Sequence, residues 1–77
     1  MSIDMILRKT KITKKGIQWD VLRKDTGEKL ADDVVTAIAT ALAKLASQGF
    51  SGHPWRMFDE QGRLLMSGAK IKAKAAQ

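Results

Sequence analysis

The chain has no cysteine, no tyrosine, one histidine and one proline among its 77 residues. Without cysteine there is no disulfide framework and no thiolate metal site. The single histidine, in "FSGHPW", has no second good ligand beside it, so no metal is expected. Uncharged runs such as Val34 to Ala43 fall far short of the roughly 20 apolar residues that a membrane span needs. The start, "MSIDMILRKTK", has no long apolar stretch after a basic beginning and does not read as a signal peptide. These shortages describe a soluble, cytoplasmic protein with no membrane partner.

The catalytic inventory is equally thin. Ser51, His53 and Asp59 come from one loop and the far end of a strand, a poor arrangement for a nucleophile, base and orienting acid that must meet at hydrogen-bond reach. A chain this short has little room for a walled pocket, so no catalytic residue, cofactor or small-molecule substrate is expected. A domain of this length buries only about 60% of the surface its unfolded chain exposes. Its core is therefore thin, and self-association is the staple that remains open to it.

What the chain has in quantity is positive charge: 14 Lys and Arg against 8 Asp and Glu, a formal net charge of +6. The excess is concentrated. Arg8 to Lys15 holds five basic residues and no acid, and Lys70, Lys72 and Lys74 lie in an acid-free end. Such clusters favour polyanionic partners.

"MILRKTKIT" and "GIQWDVLRK" are rich in β-branched and aromatic residues and flank "TKKG", which predicts a hairpin with an even loop. Ile6, Arg8, Thr10 and Ile12 then share the core face with Ile17, Trp19 and Val21, and Lys9, Lys11, Asp20, Leu22 and Lys24 occupy the other face. "KDTGEKLADD" reads as a connector with turn chemistry, ending in Asp32 or Asp33 as a helix cap. Val34 or Val35, Ile38, Leu42 and Leu45 recur at helical spacing up to a stop at Gly49. The opposite flank of this helix, Thr36, Ala39, Thr40, Ala43 and Ser47, carries no charge.

A second hairpin joins "PWRMF" to "RLLMSGAKIKA" through "DEQG", with Gly62 in the left-handed conformation. Trp55, Met57, Leu65, Ser67 and Ala69 are expected to face the core, and Arg56, Phe58, Leu64, Met66 and Lys70 to face outward. The expected fold is α+β in the order ββαββ, a four-stranded antiparallel sheet with one helix packed on one face. Residues 1–69 form the domain, and 70–77 a basic strand extension or flexible tail.

Two functional expectations follow, from different classes. The first is a non-catalytic nucleic-acid-binding protein, for DNA or RNA, that uses a basic sheet face and hairpin tip: Lys9, Lys11, Lys14, Lys15, Lys24, Arg56, Phe58, Lys70 and Lys72. The second is a protein-interaction module, a homodimer or an adaptor or inhibitor docking on a larger protein, through Phe58, Leu64 and Met66 or through Thr36, Thr40 and Ala43. In "SGHPWRMFD", His53 and Pro54 read as the turn into a strand, and Arg56 and Phe58 as the candidate site.

Overall fold

A computed structural model describes residues 2–72. The elements run β1 (Ile3–Thr13), β2 (Gly16–Arg23), β3 (Lys29–Asp33), α1 (Ala37–Leu45), β4 (Trp55–Phe58) and β5 (Leu64–Gly68). The α+β class and the single helix are as expected. The sheet is not four-stranded and antiparallel: among the described residues it has five strands in the order β3-β2-β1-β4-β5, and β1 and β4 run parallel.

The extra strand comes from the stretch read as a connector. Asp25-Thr26-Gly27 does turn, but Lys29–Asp33 then pairs antiparallel with β2, matching Val21 to Ala31 and Trp19 to Asp33. Leu30 and Ala31 are buried, so a short apolar core between charges was enough to make an edge strand.

Bulges move residues between faces. The β1–β2 hairpin has the expected even loop, with Thr13 opposite Gly16. A register shift between Lys9 and Lys11 leaves Thr10 without a partner. One extra residue reverses side-chain parity on one side of the bulge. Met5, Leu7 and Lys9 therefore join Trp19 and Val21 on the helix side, whereas Ile6 and Arg8 face outward with Leu22 and Asp20. The expected placement of Ile6 in the core and Lys9 outside is reversed. A second shift in the β4–β5 ladder sets Met66 beside Met57 and Leu64 beside Phe58, leaving Leu65 unmatched. Met66 and Leu64 consequently occupy opposite faces, and Ser67 joins Arg56 outside.

α1 starts later than its sequence pattern, at Ala37, and lies over β3 and β2. The expected cap, Asp33, accepts hydrogen bonds from the Val34 amide (2.6 Å) and the Thr36 hydroxyl, both preceding the helix. Ala37, Ala41 and Leu45 are its buried residues, and Ile38 and Leu42 only pack against the core from its margin. Alanine toward the sheet lets the helix sit close. The helix widens into a π-type turn, Ala46–Phe50, and the expected stop at Gly49 is present.

The core comprises Ile3, Met5, Val21, Leu30, Ala31, Ala37, Ala41, Leu45, Met57 and Ile71. Three of the ten are alanines, so the larger side chains Met5, Val21, Leu45, Met57 and Ile71 carry most of the burial, at about 1.5–3 kcal/mol each. Ile71 lies beyond β5 and outside any strand. The Ile71 amide donates to His53 O and its carbonyl accepts from the Gly52 amide, each at 2.7 Å. Residues 73–77 of the expected extension or tail lie outside the described residues. No described helix is long and apolar enough to cross a membrane.

Gly68 is required by a close approach: a β-carbon there would collide with the indole of Trp55. Ile71 is 1% exposed, and Ile71→Ala costs about 2–4 kcal/mol of unfolding free energy in urea titrations. Val35→Ala, at a side chain 87% exposed, changes it by less than about 0.5 kcal/mol.

Candidate functional site

Among the described residues, β1 and β2 beyond Lys9 and Trp19 pair only with each other, as β4 matches β1 no further than Ile6 and β3 matches β2 no further than Trp19. The distal hairpin is thus a two-stranded ribbon extending from the sheet. Val34 leans against it at Gly16, and Ile12 on the other strand is 81% exposed. The tip is closed by Thr13, whose hydroxyl donates to Gly16 O (2.8 Å) and accepts from the Lys15 amide (3.2 Å). That closure projects Lys14 and Lys15 into solvent as the two loop residues.

The cations divide into two populations. Each of the four arginines is ion-paired: Arg8 with Asp20 (3.3 Å), Arg23 with Asp25 (2.6 Å), Arg56 with Asp4 (2.9 Å) and Arg63 with Asp59 (2.7 Å). Lys29 and Lys44 pair with Asp32 and Glu28. Among the described residues, Lys9, Lys11, Lys14, Lys15, Lys24, Lys70 and Lys72 have no carboxylate partner within 4.0 Å. Four of these seven are on the ribbon, where residues 9 to 19 contain no acid. Lys9 is on the helix side with Trp19, Lys11 on the outer side with Gln18, and Lys14 and Lys15 at the end. Positive charge therefore lies on both sides of the ribbon and at its tip, offset in part by Glu60 at the Lys9 amide and by Asp33, whose carboxyl feels the Lys15 charge.

The outer sheet face is a different surface. Arg56 is committed to a bidentate contact with Asp4, both bonds 2.9 Å. Phe58 has the Lys24 ammonium 4.8 Å and the Arg56 guanidinium 5.4 Å from its ring centroid. Asp20, nearly buried, holds Arg8. One register row, Leu64, Phe58, Ile6 and Leu22, crosses this face as an apolar band between the charged rows.

The remaining expected residues are elsewhere. Lys70 and Lys72 lie on the helix side, lining an open groove of about 850 Å³ with Ala39, Thr40, Ala43 and Trp55. Lys70 is therefore not beside Arg56. Thr40 and Ala43 share that groove, Thr36 is tied to Asp33, and Met66 stands on the β5 edge. His53 is a structural residue of the turn, with Nδ1 3.2 Å from Phe50 O and its ring edge-on to Phe50. Among the described residues no group of three His, Cys, Asp or Glu is placed to hold a metal. The separation of paired arginines from free lysines was not read from the sequence, although the acid-free run from Lys9 to Trp19 was its visible trace.

The turn after β4 anchors the ribbon's base. Asp59 accepts from the amides of Gln61 (2.9 Å) and Arg63 (2.8 Å), and the neighbouring Glu60 carboxylate accepts from the Lys9 amide (3.3 Å). The Arg63 amide bond is the largest cause holding the Asp59 carboxyl below its usual 3.8. A depressed carboxyl stabilises the fold fully above its ordinary value and loses that contribution as pH falls through the depressed one. In a carbon-detected NMR titration, Asp59 protonates below pH 3.8 and the Arg63 amide shift follows the same curve. No protein-family model, curated protein or solved structure matches the chain.

Proposed function

We propose that the chain is a non-catalytic nucleic-acid-binding protein that grips a duplex with its β1–β2 ribbon. The observation that carries this reading is the segregation of charge, with the arginines spent on internal carboxylates and four unpaired lysines placed on one projecting ribbon. A two-stranded ribbon fits the B-DNA major groove, which is about 12 Å wide. Lysines on both of its sides and at its tip suit the phosphates that flank such a groove. Lysine binds phosphate as a point charge, so the recognition is of backbone and not of sequence.

A duplex is favoured over a single strand by the state of Phe58. Single strands are held by bases stacking on open aromatic rings, and this ring already has Lys24 and Arg56 above it. A second reading, a protein-docking module, is favoured by the apolar row Leu64, Phe58, Ile6 and Leu22 on the uncovered sheet face. Phe58→Ala with Leu64→Ala removes a protein partner under that reading and leaves duplex affinity within about twofold under the first.

The two readings respond differently to salt. With four phosphate contacts, log affinity against log salt has a slope of about −4 for duplex DNA. Changing Lys9, Lys11, Lys14 and Lys15 together to Glu abolishes duplex binding by fluorescence anisotropy, and Arg56→Gln changes it less than twofold. Full affinity in the four-lysine variant, or a slope near zero, removes the reading.

A further inference from the structure

A single helix is too narrow to cover this sheet. α1 lies over β3 and β2, and a helix about 10 Å across spans roughly two strands set about 4.8 Å apart. On the same side, the chain that follows β5 covers part of the remainder by burying Ile71 in the core. Between the helix and this segment lies the open groove of about 850 Å³. It is lined by Ala39 and Ala43 of the helix, by Trp55 and Gly68 of the sheet, and by Lys70 and Lys72 of the segment. Its volume falls within the roughly 300–1,000 Å³ of clefts that hold small ligands.

The lining is mostly apolar, and its polar side chains are of one kind. Thr40, Trp55, Lys70 and Lys72 can all donate hydrogen bonds, and no carboxylate or amide side chain is among them. The two lysines are also unpaired. Away from the ribbon, the other described cations each meet a carboxylate or, for Lys24, the Phe58 ring, whereas Lys70 and Lys72 have neither among the described residues. Their position is fixed by the residue between them. The Ile71 amide and carbonyl are both tied to the turn before β4, each at 2.7 Å, and its side chain is buried. That anchor holds a lysine on either side of Ile71 at the groove.

We propose that this groove binds a small amphiphile, an unbranched aliphatic carboxylate, with its chain against Ala39, Ala43 and Trp55 and its carboxylate between the ammonium groups of Lys70 and Lys72. The apolar lining takes the chain out of water, and lysine holds a carboxylate as a point charge. A donor-only lining suits a ligand whose polar end only accepts. A protein occupant is disfavoured by size, because a stable protein interface buries roughly 1,200–2,000 Å² and the nine residues of α1 extend only about 14 Å. A second copy is further disfavoured by charge, since it brings the same +6. The proposal is independent of the nucleic-acid reading, because the groove shares no residue with the ribbon.

An NMR titration of the full chain with decanoate tests it. Trp55 lines the groove and Trp19 does not, so the Trp55 indole N–H and the amides of Ala39, Ala43 and Gly68 shift and saturate while the Trp19 indole stays in place. The groove is open to solvent, so the Kd is modest, about 0.1–1 mM. Decylammonium, with the same chain and the opposite charge, binds at least tenfold more weakly, and acetate, the head without the chain, does not bind. These ligand comparisons use the unaltered chain and do not depend on how a variant folds. Lys70→Gln with Lys72→Gln weakens decanoate at least fivefold, whereas Lys29→Gln with Arg63→Gln, which removes the same charge away from the groove, changes it less than twofold. A Trp55 indole unmoved at several times the expected Kd, equal binding of decylammonium, shifts centred on the ribbon, or full affinity after Lys70→Gln with Lys72→Gln overturns the proposal. Groove signals that move with protein concentration alone assign the groove to a second copy and overturn it as well.

Discussion

Ile3–Ile6 and Trp55–Phe58 run side by side in parallel, and parallel neighbours cannot be joined by a tight turn. β2, β3 and α1 together form the crossover between them, so the helix must cover one face of the sheet while the other stays open. The pairing sets Met5 beside Met57 at the centre of the core. It is reinforced where the chain enters and leaves, by the Ile3 amide on Pro54 O (2.9 Å) and by the ties between Ile71 and the turn before β4. β5 can then add only on the outside of β4, which makes it an edge.

The same constraint produces the ribbon. β1 has eleven residues and β4 has four, so the parallel contact ends at Ile6 and β1 continues without a neighbour on that side among the described residues. Glu60 reaches the Lys9 backbone and terminates the supported region. Past this point the hairpin has no core to serve, and its composition changes from Ile, Met and Leu to Lys and Thr. The bulge at Thr10 lies at this boundary and sends Lys9 and Lys11 to opposite sides. Within the supported sheet, by contrast, cations meet carboxylates: Arg56 with Asp4, Arg8 with Asp20 and Lys29 with Asp32. An unpaired cation costs little on a solvated ribbon, whereas a nearly buried carboxylate such as Asp20 needs a partner.

Features governed by local chemistry were legible in the sequence. The even hairpin loop at Lys14-Lys15, the left-handed Gly62 in the Asp59–Arg63 turn and the helix stop at Gly49 all follow from residue type and spacing. Features governed by distant partners were not. β3 is too short and too charged to show a period, and nothing within Ile3–Thr13 announces that its neighbour will be parallel or that Thr10 will bulge. The helix stripe pointed to Ile38 and Leu42, but proximity to the sheet favoured Ala37 and Ala41. Ile71 looked like one residue of a lysine-alternating end, and its burial depends on a turn almost twenty residues earlier. For the candidate site, the ribbon lysines were legible as an acid-free run. The commitment of Arg56 to Asp4, which draws it away from a ligand, required three-dimensional pairing.

The central functional claim concerns which surface meets the ligand, the ribbon or the open sheet face. An NMR titration of the chain with a short DNA duplex at two salt concentrations separates them directly. The account predicts shifts confined to the amides of Lys9–Trp19, fading at the higher salt, with Ile6, Leu22, Arg56 and Phe58 unmoved. Shifts centred on that second set, with the ribbon silent, would contradict it.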